Sequence, residues 1–303
     1  MFVRGLITAF ALALAGCITV SGEDGEPGKP GLRADHQAFL DTCEDWDEWN
    51  KPAPPFKVHG DTYYVGTCGI AAILITDEDG HVLIDTGTRA GADVVLTNIV
   101  ALGFAVEDIN FMLHSHEHFD HVGGFAFMAY TTGAEVVASV GAMGPLNSGL
   151  SSPDDPQHDM HSPMEPVRPS TMVRNGQKLD LGGLALTAIE TPGHTPGALT
   201  WQWESCERDE CKTIVYADSL SPVSSEEYRF SDHPEYLAEY YAGLERLGQL
   251  DCDILLTPHP SHSRMLKRMR DSEMIDPAAC GNYAIGKAND LKARLNREAG
   301  GDQ

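Results

Sequence analysis

The sequence predicts an α+β protein in which two mixed β-sheets pack together with helices on their outer sides. Two observations predict it. Strand-like and helix-like stretches alternate as two similar halves, each β-rich first and helical afterwards. The 303 residues, 42% of them hydrophobic, can bury one large core or two small ones. The formal net charge of −24 argues against a nucleic-acid partner and against a nuclease, because no basic surface is available to hold phosphates. Aromatic and β-branched residues run along the whole length, which argues against disorder.

The elements follow in order. Residues 63–87, "YYVGTCGIAAILITDEDGHVLIDTG", read as strands around an Asp79-Gly80 turn. Residues 91–104 read as an amphipathic helix, with Val94, Val95, Ile99 and Leu102 on one face. "INFMLHS" is a short buried strand and "AEVVASV" another. A polar, proline-containing stretch covers about 144–169, and its length marks it as disordered or functional. Its expected closeness to the histidine cluster favours function. Strands return at 171–190, 198–203 and 212–217. Residues 233–250 read as a helix, "CDILLTPHP" (252–260) as a strand entering a loop, and 277–297 as a last helix.

The N-terminus is set apart from this fold. Arg4 precedes the apolar run "GLITAFALALAG", too short to span a bilayer and shaped like a signal peptide. Leu14-Ala15-Gly16-Cys17 resembles the bacterial lipoprotein cleavage box. That resemblance implies a signal peptide over 1–16, lipidation of Cys17, and, with Ile18 rather than aspartate next, the outer membrane. An ordinary signal peptide cut near Ala15 is the alternative. Residues 17–35, rich in Gly, Pro and charge, read as a tether, leaving 36–303 as the folded domain. Setting Cys17 aside leaves six cysteines, an even number that fits three disulfides in an oxidising compartment. Six cysteines allow fifteen pairings. Cys206 and Cys211 flank the short charged loop "ERDE" between two strands, so a local bridge is the economical pairing there.

The chemistry concentrates in "LHSHEHFDHVGG" (113–124), at the end of a predicted strand. His116, His118, Asp120 and His121 form H-x-H-x-D-H. On an extended stretch 116, 118 and 120 share a side, and a turn lets His121 join from another angle. Histidine nitrogen and aspartate oxygen are zinc ligands, and catalytic zinc sites keep a position open for water. Two metals need about six ligands. His194, in the turn of "ETPGHTPGALTW", and His259, ending the strand of "LLTPHPSHS", are the added candidates.

H-x-H-x-D-H, then G-H-T-P-G, then T-P-H-P, in this order, resembles the metallo-β-lactamase superfamily over about 45–297. The resemblance implies the four-layer αβ/βα sandwich, the metallo-β-lactamase fold. "NKPAPPFKVHGDTYYVGTCGIAAILI", "YADSLS" and "CDILLTPHP" with a downstream "CGNYA" are similar to the subclass B3 enzymes. This implies Cys252–Cys280 and Cys43–Cys68 disulfides. It implies two zinc ions, the first on His116, His118 and His194 and the second on Asp120, His121 and His259, with a bridging hydroxide that attacks the β-lactam carbonyl. His116, His118, His194 and Asp120 are the implied catalytic set, with Asp120 orienting the nucleophile. Ser219 and Ser221 are implied substrate contacts, with ordinary turn serines as the alternative. Asp218 would point away from the metals. Were it to bridge them, the site would suit lactones or thioesters.

Gln157 and His158 could reach substrate from the long loop, although solvated loop residues are the default. Asp85 could orient a ligand histidine or be a turn aspartate. His114 reads as structural, and His262 ranks below His259 as a ligand. Trp46 and Trp49 line a cleft or cap a core edge. No lysine is evident near the motifs to meet a substrate carboxylate. The expected protein is therefore a monomeric periplasmic zinc hydrolase of β-lactams, reaching the membrane only through a lipid anchor at Cys17. The alternatives are a related hydrolase of lactones or thioesters and a non-catalytic periplasmic zinc-binding protein.

Overall fold

A computed structural model describes residues 32–300; the expected signal peptide, Cys17 and most of the expected tether lie outside the described residues. Helix α1 (Ala34–Thr42) leads into a seven-stranded sheet ordered as in the chain. Its strands are β1 (Phe56–His59), β2 (Thr62–Tyr64), β3 (Ile73–Ile75), β4 (His81–Ile84), β5 (Ile109–Leu113), β6 (Glu135–Ser139) and β7 (Thr171–Val173). The first four are antiparallel and joined by tight connections, the β3–β4 turn holding Asp79-Gly80. From β4 onward the strands are parallel. Parallel neighbours require crossovers, and these are the helices α2 (Arg89–Ala101), α3 (Phe119–Val122), α4 (Phe125–Thr132) and α5 (Met143–Ser148).

The second sheet has five strands: β8 (Lys178–Leu181), β9 (Leu184–Glu190), β10 (Leu199–Glu207), β11 (Glu210–Tyr216) and β12 (Ile254–Leu256). All pairs are antiparallel except β11–β12, whose crossover carries α6 (Pro234–Gly248). Helices α7 (Met265–Arg270) and α8 (Ala279–Gly300) complete the chain.

Strand alternation assigns each side chain to a layer. Ile73 and Ile75, Val82 and Ile84, Ile214 and Tyr216, and Ile254 and Leu256 all face a core between the sheets, together with Trp201 and Trp203. Their neighbours Leu74, Leu83 and Val136 face a second core beneath α2, α4 and α5. Val215 and Leu255 face a third beneath α6 and α8. The result is the αβ/βα arrangement of two mixed sheets.

The stretch expected to be irregular over 144–169 begins as a helix. α5 forms because Leu146 can enter the second core, and Gly149, at φ 73°, ends it in the left-handed conformation. The remainder of the stretch folds back toward the histidines.

Three disulfides are present: Cys43–Cys68, Cys206–Cys211 and Cys252–Cys280. Cys43–Cys68 joins α1 to the loop after β2 across 25 residues of chain. Loop-closure entropy alone gives such a bridge about 3 kcal/mol. Replacing both cysteines by serine is expected to lower stability by roughly that amount in urea denaturation; an unchanged midpoint would mean that packing of α1 already restrains the segment.

Candidate metal centre

Five chain segments meet at one end of the sandwich, each leaving the carboxyl end of a strand. β4 delivers Asp85, β5 delivers His114 to His121, β9 delivers His194, β11 delivers Asp218 to Ser221, and β12 delivers His259. Open α/β sheets place ligands at such ends because rigid strands fix the start of each loop.

His116, His118 and His194 bring ligand-type atoms within 4.8 Å of one another, and so do His116, Asp120 and His121. His259 joins the second group through Asp120: its Nε2 lies 3.4 Å from Asp120 Oδ2, and His121 Nε2 lies 3.1 Å from the same oxygen. Trp49 packs tilted near His259 and Phe119. His262 packs on His259 from outside, with Trp46 at its edge, and makes no approach to Asp120.

The second nitrogen of each ring identifies which one is left for a metal. His116 Nδ1 is 2.8 Å from Asp218 Oδ1, and its Nε2 is buried with no partner. His118 Nε2 is 2.9 Å from Asp155 Oδ2. His194 Nδ1 donates to the Ser221 carbonyl at 2.9 Å. His121 Nδ1 is 3.7 Å from Asp85 Oδ2. His259 bonds the backbone of Gly69. Histidine ligands commonly donate their far nitrogen in this way, which fixes tautomer and ring angle.

Burial pushes His116 and His194 well below the usual imidazole range, keeping them neutral, as a ligand must be. Burial alone would raise Asp120, but His121 and His259 hold it well below the ordinary carboxylate range. Asp85 is pushed up to about 6 and Asp218 to about 7, both by burial. Asp85, Glu117, Asp120, Asp155 and Asp218 are all buried here, and among the described residues their hydrogen-bond partners are hydroxyls, imidazoles and backbone N–H groups, not lysine or arginine. Buried carboxylates without such partners, facing a cluster of imidazoles, are a donor set suited to divalent cations.

Several expectations change. Asp218 does not point away: the chain leaves β11 in an irregular turn, with Leu220 at φ 46°, so strand alternation no longer applies and the carboxylate turns in to His116. Its second oxygen accepts from Leu220 N, so Asp218 is spent beside the ligands rather than between the two groups. Ser219 Oγ is buried without a partner. Ser221 Oγ donates to the Ser219 carbonyl and accepts from Lys287 Nζ at 3.0 Å. Lys287 is the lysine that the motifs did not show. It arrives from α8, far along the chain, where no local signal marks it.

The long loop contributes more than Gln157. Gln157 Nε2 is 3.4 Å from His194 Nε2, and its Oε1 contacts His161, whose ring lies 4.8 Å from that of His118. His158 instead bonds Ser151. A cleft of about 430 Å³ opens beside His118, lined by Phe119, Leu150, His158, His161 and Met164 among others. Asp155, Glu117 and His161 were not singled out from the sequence. Glu117 sat inside the motif, where alternation would have placed it on the face opposite the two flanking ligands. Asp85 lies where a partner of His121 should, and His114 accepts from Ser139 N as a structural residue.

Known proteins share this arrangement. A family model described as "Metallo-beta-lactamase superfamily" matches residues 65–259. The solved structure of the MIM-2 metallo-beta-lactamase is 51% identical, covers 88% of this chain and 100% of its own, and superposes with a TM-score of 0.85. MEM-A1, a subclass B3 metallo-beta-lactamase from a soil metagenome library, is 39% identical over 84% of this chain and 99% of its own, with a TM-score of 0.80. Among curated proteins, the hydroxyacylglutathione hydrolase of Anaeromyxobacter dehalogenans is 27% identical over 55% of this chain and 52% of its own. The chain spans about half the length of the first such relatives. Sandwich, histidine order and near-complete coverage by the B3 structures agree: the chain belongs to the metallo-beta-lactamase superfamily and, within it, to the subclass B3 group.

Proposed function

We propose that the protein hydrolyses the amide bond of β-lactams as a dizinc enzyme, with one ion on His116, His118 and His194 and the other on Asp120, His121 and His259. The observation that carries this reading is the convergence of those six residues, with His116, His118 and His194 each held at one ring nitrogen, on a chain whose full-length structural relatives are metallo-beta-lactamases. Zinc bound there would supply a water acidic enough to ionise near neutral pH and would polarise the substrate carbonyl. The chain's own part is orientation. Asp218, Asp155 and the Ser221 carbonyl fix the rings of His116, His118 and His194, Asp120 stays ionised, and Gln157, beside His194, would reach a substrate bound there. Ser221 and Lys287 lie together beside His194, and Lys287 lines the cavity next to His262, where it would supply a positive charge for a substrate carboxylate. No serine nucleophile is required.

Hydrolysis of lactones or thioesters is the second reading, favoured by the hydroxyacylglutathione hydrolases among the relatives. The engagement of both Asp218 oxygens, by His116 and Leu220, weighs against it, because an aspartate bridging two metals needs an oxygen free between them. Three disulfides suit export to an oxidising space, in keeping with a periplasmic monomer carried on a lipid at Cys17. No helix among the described residues is long and apolar enough to cross a membrane.

The test is a panel of a carbapenem, a cephalosporin, a penicillin, a simple lactone and a thioester, each with added zinc and after chelation. Zinc-dependent opening of the β-lactams alone is the expected result. Turnover of only the lactone or the thioester would overturn the β-lactam reading while leaving the ligand set in place.

A further inference from the structure

Glu117 lies between two metal-site histidines and takes no part in the ligand set. His116 and His118 face the centre, so Glu117 faces away from it, toward the turn that carries His194. There its carboxylate is fully engaged. Oε2 accepts from Thr195 Oγ1 at 2.6 Å and Oε1 accepts from Gly197 N at 2.8 Å. The residue is 3% exposed. Gly197 is small for this reason: a Cβ there would lie 2.7 and 2.8 Å from the two carboxylate oxygens and 2.5 Å from Ala142 N. The other end of the turn is equally restricted. Gly193 sits at φ 155° against the Tyr240 ring, where a Cβ would approach within 2.4 Å. Ser139 Oγ donates to the Gly197 carbonyl.

His194 is therefore mounted on a turn wedged against Tyr240 at one side and clamped by Glu117 at the other. The clamp originates in the segment that carries the other two ligands of the first group. A buried carboxylate accepting two hydrogen bonds makes a short, strong tie between residues 78 and 80 positions apart in sequence. We propose that Glu117 is a positioning residue, which sets His194 against His116 and His118 and so determines the affinity of the first metal site and not of the second. The proposal rests on the reading of those three histidines as one metal site.

The experiment measures metal uptake, not turnover. Zinc binding to the demetallated domain is followed by competition with a chromophoric chelator, with cobalt absorption as a second readout, and unfolding is recorded in parallel. His194→Ala identifies which binding step belongs to the first site. Glu117→Ala is expected to weaken that step about tenfold and to leave the Asp120, His121 and His259 step unchanged. Glu117→Gln is expected to restore it to within about threefold, because the Thr195 hydroxyl can rotate to accept from the amide while Gly197 N still donates.

Equal weakening of both steps alongside a lower melting temperature would make Glu117 a folding residue only and overturn the proposal. So would wild-type affinity in Glu117→Ala. If Glu117→Ala does not fold, Thr195→Val removes one arm of the clamp with the carboxylate still in place; an unchanged first step there overturns the proposal as well. A wild-type domain that takes up no metal would fail the site reading itself, and the proposal with it, before any variant is compared.

Discussion

Removing divalent metal by chelation is expected to abolish β-lactam hydrolysis and to lower the melting temperature by roughly 10–20 °C. The activity loss follows from the chemistry: no side chain of the centre is placed to act as nucleophile, so nothing replaces an activated water. The stability loss follows from electrostatics. Asp85, Glu117, Asp120, Asp155 and Asp218 are buried around the histidine cluster. Buried anions are tolerated when they are paired or coordinate a metal, and become costly when the cation leaves. An ion present at a hundred times its dissociation constant adds about 2.7 kcal/mol, so two add about 5 kcal/mol. For a domain of this size 1 kcal/mol moves the midpoint by about 2–4 °C. Calorimetry with and without chelator, disulfides intact, measures the shift, and re-addition of zinc should restore both signals. A midpoint indifferent to zinc would contradict the reading of this cluster as a metal centre.

The second large effect belongs to Asp85. It sits at φ 60°, a conformation that aspartate tolerates better than most residues. Oδ1 accepts from Ser115 N at 2.7 Å, and Oδ2 accepts from Ser115 Oγ at 2.6 Å and from Tyr216 OH at 2.8 Å. The Tyr216 bond crosses between the two sheets, and the Ser115 bonds anchor the start of the histidine segment. Asp85→Ala would take the acceptor from three buried donors, each worth about 1–3 kcal/mol, of which Tyr216 OH keeps the Ala71 carbonyl at 3.4 Å. The expected loss is roughly 3–6 kcal/mol, a large share of the 5–15 kcal/mol typical of a whole domain. Asp85→Asn keeps an oxygen acceptor and the backbone preference, and should lose about 1–2 kcal/mol. Urea denaturation of the two variants separates these outcomes. A loss below about 1 kcal/mol for the alanine variant would show that the donors find other partners on relaxation.

The main features of the fold were legible because each rests on a local pattern. Short apolar runs bounded by turn residues placed β3 to β6 and β10 to β12, and the 3.6-residue period placed α2 within a few residues of its observed limits, as the reading of 233–250 did for α6. The last helix was also expected, although α8 runs three residues further, to Gly300. The least legible stretch was 144–169. Its polar composition hid α5 and gave no indication that Asp155 and His161 would fold back onto His118, since nothing in "PDDPQHDMHS" differs from a solvated loop until the backbone is closed.

By itself, then, the sequence determined the sandwich, the six metal-site candidates and the family, because spacing on a strand or turn carries that information locally. Tertiary structure alone decided what holds those candidates in place. Asp218 turns in to His116 because the turn after β11 breaks strand alternation. Lys287 reaches Ser221 because α8 packs over the loop that follows β11. Glu117 clamps the His194 turn because the two sheets bring β5 and β9 to the same edge. Such partners are tens of residues apart and chosen by packing, so no periodicity in the chain can announce them.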